Sequence, residues 1–135
     1  MKKGVEPVPT AWREVRLIGM ALTLFLPGCK PPPEREQAMP LADPARGLTV
    51  IQRTGCGACH EIPGLFWPKG RLGPNLDGFS ERTVIAGELP NRPDVLARWV
   101  RNAPSLIPGT SMPAVPMTEE DARDVAAYLY TLRDH

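Results

Sequence analysis

The chain has 135 residues, 16 basic and 15 acidic, for a formal net charge of +1. That balance excludes the broad basic field that draws in nucleic acid, and 17 prolines exclude a chain made mostly of long helices or continuous sheet. Three cysteines, at 29, 56 and 59, leave one thiol to account for in an exported protein.

Lys2, Lys3, Arg13 and Arg16 precede an uncharged run, Leu17 to Leu26. A membrane-spanning helix needs about 20 apolar residues. The shorter run is predicted to be the core of a secretory signal peptide over residues 1–28. Leu26-Pro27-Gly28-Cys29 resembles a bacterial lipobox, with Pro27 in place of the usual small or aliphatic residue. The resemblance implies a diacylglyceryl anchor on Cys29. Plain secretion and an uncleaved anchor are the alternatives. Residues 29–42 include Pro31, Pro32 and Pro33 and mixed charge, and are predicted to form an extended, solvated, semi-rigid tether.

Asp43 and Pro44 open the first predicted helix, as cap and first helical residue. Leu48, Ile51 and Gln52 follow at helical spacing, and Gly55 is placed to end it. Gly47 inside this helix costs about 1 kcal/mol relative to alanine, which a close helix crossing would justify.

Cys56-Gly57-Ala58-Cys59-His60 then forms the c-type haem attachment sequence. Two thiols two residues apart reach the two vinyl groups of one haem, and the next histidine is directed at the iron. Gly57 and Ala58 are small enough to let the backbone lie near the macrocycle. A thioredoxin-like dithiol would need a βαβ surround, and none is visible. A structural zinc needs four ligands, and only Cys29 and His135 remain, at implausible spacing. Haem attachment through Cys56 and Cys59 leaves Cys29 as a lone thiol, a liability that lipidation would remove.

Residues 61–90 and 104–117 are rich in Gly and Pro, and no stretch alternates as a strand. Asn91 or Pro93 opens a second helix with Val95, Leu96, Trp99 and Val100 as its apolar stripe, and Pro104 is predicted to stop it. Thr118 caps a third helix, with Asp121 answering it in a capping box. Ala122, Val125, Ala126, Leu129 and Leu132 mark its buried face. The fold class is all-α with a small core, and a large apolar cofactor would supply the missing burial.

Residues 43–135 resemble the class I monohaem cytochromes c, through a series of motifs in the family's order. Gly47 with Ile51 resembles the first helix that crosses the last, and Gly73-Pro74-Asn75-Leu76 the segment after the haem motif. Tyr128-Leu129 resembles the aromatic–Leu pair of the last helix. The resemblance implies three main helices wrapped around one covalent haem c and its iron. It implies that the Pro74 carbonyl accepts a hydrogen bond from the ligand His60. It places Phe79 as an apolar wall and Arg82 near a propionate, with Arg71 and Arg92 also available. Leu96 and Trp99 would line the pocket. Pro108 to Pro113 resembles the loop presenting the sixth ligand, which makes Met112 the second iron ligand with His60. Met117 reads instead as core filler, Met20 falls in the leader and Met39 in the tether. Residues 61–72 and 86–93 resemble haem c domains that accompany bacterial terminal oxidases.

The implied function is electron transfer without catalysis. A carrier tethered at the periplasmic face of the cytoplasmic membrane would cycle Fe(II)/Fe(III) between respiratory complexes. The alternatives are a permanent haem subunit of an oxidase or reductase, and a haem enzyme or gas sensor with a labile methionine. Trp67 is expected to be an apolar lid on the haem rather than an electron relay, and Trp99 to be core; Lys69 and Arg71 could dock an acidic partner near the haem edge but are expected to be only solvated, and His135 is expected to have no role.

Overall fold

The computed structural model describes residues 37–133. The leader, Cys29, the three prolines and His135 lie outside the described residues.

Helix α1 (Pro44–Arg53) begins at Asp43, whose carboxylate accepts from the backbone N–H groups of Ala45 and Arg46 at 2.9 and 3.2 Å. This satisfies donors that a helix start leaves open, and Pro44 has no N–H to satisfy. Thr54 closes the helix, and Gly55 turns left-handed (φ 75°) into a 3₁₀ turn at Cys56–Ala58.

Helix α2 (Pro93–Leu106) buries Val95, Leu96, Trp99, Val100 and Ala103. It does not stop at Pro104 as expected. Asn102 leaves helical geometry (φ −152°, ψ 72°) and a last helical turn follows. Pro104 has no N–H to donate and would crowd the carbonyl four residues back, so a kink before it relieves both problems. The kink also frees the Arg101 carbonyl, which accepts from the Val115 N–H at 2.9 Å, and Asn102 bridges to Ala114.

Helix α3 (Glu119–Leu129) starts with the predicted capping box. The Asp121 N–H donates to Thr118 Oγ1 at 3.0 Å, and the Thr118 N–H donates to Asp121 Oδ2 at 3.1 Å. Ala122, Val125, Ala126 and Leu129 are buried, as is Leu132 just beyond the helix end. Strands β1 (Val84–Ile85) and β2 (Leu89–Pro90) pair antiparallel, Val84 opposite Pro90 and Ile85 opposite Leu89. Two residues per strand are too few to show an alternation, which is why the sequence shows no strand there.

The core sits where α1 and α2 pack on α3. A Cβ on Gly47 would overlap the Asp124 carbonyl and lie 3.1 Å from Tyr128 Cβ, so the close crossing is real and excludes larger residues. Asp124 is fully buried there. It accepts from the Asp43 N–H at 2.8 Å and from Arg46 Nε. Residues 37–42 differ from the extended, solvated segment expected of them. Gln37 Nε2 donates to the Ser80 carbonyl at 2.8 Å, and the half-buried Met39 packs on the core.

Candidate haem-binding site

A cavity of about 450 Å³ lies between the helices and the loops, within the range of about 300–1,000 Å³ usual for small-molecule and cofactor sites. Ile51 of α1, Val125 and Leu129 of α3, and Leu96, Trp99 and Val100 of α2 form its apolar walls. Phe79 and Ile85 close another side. Cys56, Cys59 and His60 all open onto it. The two thiols are free and half-buried. A second cavity, of about 490 Å³, lies between α2, α3 and residues 38–42, but no cysteine or histidine lines it.

His60 is held from two sides. Its Nδ1 lies 2.8 Å from the Pro74 carbonyl oxygen. A carbonyl only accepts, so Nδ1 carries the proton and Nε2 of the neutral ring is left with its lone pair. Gly73 packs against the ring itself: a Cβ there would lie 2.6 Å from Nδ1 and 2.9 Å from Nε2. The backbone holds this segment beside the attachment turn. The N–H of Gly70 donates to the Gly57 carbonyl and that of Gly73 to the Cys59 carbonyl, each at 2.8 Å, and that of Leu76 to the Glu61 carbonyl at 2.9 Å.

Met112 opens onto the same cavity and is half-buried. Its N–H donates to Thr110 Oγ1 at 3.4 Å, and the loop after it is tied to the α2 kink through Val115 and Ala114. Met117 packs on the core but does not line the cavity.

Of the three candidate arginines, only Arg82 lines the cavity. Arg92 pairs with Asp94 at 3.2 Å instead. The Arg82 guanidinium lies 5.4 Å from the Phe79 ring centroid and donates to the carbonyls of Asn75 and Asp77. Trp99 is buried in the cavity wall. Trp67 is not the expected lid: it is 81% exposed and does not line the cavity. Leu65 takes the buried place in that loop, and Pro68 packs beside Gly57, which leaves Trp67 facing outward.

Sequence reasoning missed Asn91. It is expected to open α2, but the helix starts after Arg92 and Asn91 is buried. Its amide donates to the Arg82 carbonyl at 2.9 Å and the Phe79 carbonyl at 3.4 Å, and accepts from Tyr130 Oη at 3.1 Å. Burial, reinforced by Asp94, pushes the Tyr130 phenol above its ordinary value and keeps it a neutral donor. This network fixes the wall that carries Phe79 and Arg82.

The residues fit a covalent haem. Apolar walls suit the macrocycle, two thiols stand at attachment spacing, an oriented imidazole keeps a free lone pair, and a thioether shares the cavity. Residues 44–133 match the family described as Cytochrome c. Cytochrome c oxidase subunit 2 of Alkalihalophilus pseudofirmus is 39% identical over 89 residues, 65% of this chain. The chain spans only 25% of that relative. Cytochrome c2 of Rhodopila globiformis is 31% identical, and the match covers 70% of this chain and 97% of that protein. A chain in the crystal structure of SoxXA from P. pantotrophus superposes with a TM-score of 0.53 at 25% identity, covering 69% of this chain and 83% of that one. The chain belongs to the cytochrome c family, as a class I monohaem cytochrome c whose cofactor is covalently bound haem c with its iron.

Proposed function

We propose that this protein transfers single electrons through a haem c whose iron is ligated by His60 and Met112. In this reading a lipid on Cys29 holds the domain at the periplasmic face of the cytoplasmic membrane, where it exchanges electrons with respiratory complexes such as a terminal oxidase. The observation that carries the reading is the 2.8 Å contact between His60 Nδ1 and the Pro74 carbonyl, on a cavity that also admits Met112.

When bound, haem c supplies an iron that alternates between Fe(II) and Fe(III). The chain does the rest. Cys56 and Cys59 form the thioether links. Pro74 fixes the imidazole plane and keeps its proton on Nδ1, which makes Nε2 the better donor. Met112 would offer the iron a soft thioether, a ligand that favours the reduced state. Ile51, Leu96 and Trp99 keep water from the apolar side. The Asn91–Tyr130 network holds the opposing wall still, so little has to reorganise when the charge changes.

The match to one quarter of an oxidase subunit supports a second reading, a haem domain built permanently into an oxidase or reductase. Optical spectroscopy tests the ligation. Oxidised holoprotein is expected to be low-spin with the weak far-red methionine–iron band. Met112→Ala should lose the band and Met117→Ala should keep it. A high-spin wild type, or tight carbon monoxide binding when reduced, overturns the carrier reading. Recovery of the haem in the soluble fraction, without lipid on Cys29, overturns the anchoring. Stoichiometric purification with oxidase subunits decides for the second reading.

A further inference from the structure

The turn before α1 carries a leucine where its geometry favours glycine. The Ala42 N–H donates to the Met39 carbonyl at 3.2 Å, closing a turn with Pro40 and Leu41 at its centre. Leu41 has φ 74°. Proline second and a positive φ third is the type II pattern, whose third position goes to Gly or Asn because other side chains are strained there. The Leu41 side chain is also 99% exposed. A leucine both strained and wetted stabilises nothing within one chain, and such outliers mark surfaces that are used. The turn is held at both ends. Gln37 Nε2 donates to the Ser80 carbonyl at 2.8 Å, and the Asp43 N–H donates to Asp124 Oδ1 at 2.8 Å. Met39 packs on the core between them. Leu41 therefore projects from a fixed base.

A recess lies beside it. The cavity of about 490 Å³ has Met39, Pro40 and Ala42 on one side and Ala97 of α2 and Ala122 of α3 on the other. Leu41 stands between two residues that line it but does not line it itself. The rim carries both signs of charge, with Arg98, Arg101 and Arg123 set among Asp94 and Glu119, all exposed. Arg101 meets Glu119 at 3.1 Å, but the pairs Arg98–Asp94 and Arg123–Glu119 are loose, at 3.4 and 4.0 Å.

We propose that two copies of this protein associate about a two-fold axis, with Leu41 of each copy seated in the recess of the other. A projection beside a recess on one face is what a two-fold contact needs, because each copy offers the other the same patch. A rim of mixed sign is self-complementary too. A second copy turned through half a rotation can set its carboxylates against these arginines and its arginines against these carboxylates, whereas a partner of one sign would also meet like charge. The inference goes beyond the electron-carrier reading and does not depend on it. The haem cavity and the recess share no lining residue: Leu96, Trp99 and Val100 of α2 face the first, and Asp94, Ala97 and Arg101 the second. The dimer therefore leaves both haem sites uncovered.

Sedimentation velocity of the full-length holoprotein, followed at the haem absorbance in density-matched detergent, tests this. Wild type should pass from monomer to dimer as its concentration rises. Leu41→Asn removes the projecting side chain and keeps a residue that tolerates the left-handed backbone. Each dimer then loses two buried leucines, so association should weaken by about a hundredfold. Ala97→Gln places a polar side chain in the recess and should weaken it similarly. Mixing the two variants is the stricter measurement. One keeps the recess and the other keeps the leucine, so one of the two contacts re-forms, and the mixture should associate about tenfold more tightly than either variant alone. Haem absorbance and far-ultraviolet circular dichroism should match wild type in both variants, which separates lost association from lost folding. A wild type that stays monomeric overturns the proposal, as does a dimer indifferent to Leu41→Asn. A ladder of larger species overturns the two-fold arrangement, and variants that gain nothing on mixing overturn the seating of Leu41 in the recess.

Discussion

Replacing Gly73 with alanine puts a methyl group into the His60 ring. The new Cβ would lie 2.6 and 2.9 Å from the two ring nitrogens, closer than non-bonded carbon and nitrogen tolerate. Residue 73 cannot retreat, because its N–H is bonded to the Cys59 carbonyl at 2.8 Å. The ring must swing instead, and it is pinned by Pro74. Overpacking of this kind costs about 1–3 kcal/mol. Losing the Nδ1 hydrogen bond adds about 0.5–1.5 kcal/mol. The expected total is about 2–4 kcal/mol. With a urea slope of about 2 kcal/mol/M, that lowers the unfolding midpoint by about 1–2 M. The assay is a urea titration of oxidised holoprotein followed by the far-red ligand band and by far-ultraviolet circular dichroism. The band is expected to weaken in Gly73→Ala even before unfolding. A variant with the wild-type midpoint and the wild-type band would refute the claim that Gly73 clamps the ligand.

Two further substitutions test the frame. Helix propensity alone predicts that Gly47→Ala gains about 1 kcal/mol, but overlap with the Asp124 backbone predicts a loss of about 1–3 kcal/mol or more. A lower melting temperature is therefore expected, and a higher one would mean that α1 and α3 cross less closely. Thr118→Ala removes the cap of α3 and should cost about 0.5–2 kcal/mol, read by denaturant titration. The same cap gives a pH dependence. The Thr118 backbone N–H, then its hydroxyl, and then Arg53 hold the Asp121 carboxyl below its ordinary value of 3.8. A lowered folded value means that the carboxylate contributes stability fully above 3.8 and loses it as pH falls through the lower folded value. Asp121→Asn should flatten that part of the acid limb, and an unchanged limb would show that other carboxylates carry it.

What was legible in the sequence was whatever depends on neighbours a few residues away. Asp43-Pro44 and Thr118 with Asp121 announce helix starts, because the cap and the donors it satisfies are adjacent in the chain. The attachment motif is equally local, and Pro74 and Met112 were reachable only because their motifs resemble the family's in order. The misses have longer reach. Pro104 reads as a stop, and only the kink at Asn102, matched to the returning Val115, lets α2 continue. Trp67 reads as a haem lid because it is apolar and near the motif. Its outward direction depends on how Pro68 and Leu65 fill the space beside Gly57. Asn91 joins residues from three parts of the chain, and no local pattern signals that.

The cavity shows how far the fold depends on its cofactor. An apolar cavity left unfilled costs about 24 cal/mol per Å³, so 450 Å³ corresponds to about 11 kcal/mol. That is an upper bound, because the mouth admits solvent. It still matches the whole stability of a typical domain, about 5–15 kcal/mol. The residues around the cavity, Ile51, Leu96, Val125 and Leu129 among them, are also the core of the helix packing. Among the described residues, the buried hydrophobic side chains form this one cluster. The apoprotein should therefore not hold this cavity open. The double variant Cys56→Ala/Cys59→Ala, unable to attach haem, is expected to retain some helix by circular dichroism but to lose a cooperative thermal transition. It should also expose apolar surface to a hydrophobic dye. A sharp transition near that of the holoprotein would refute this and show that the three helices pack without help. If the transition is lost, the motif at residues 56–60 has a second role. It attaches the redox centre, and by doing so it supplies the middle of the hydrophobic core.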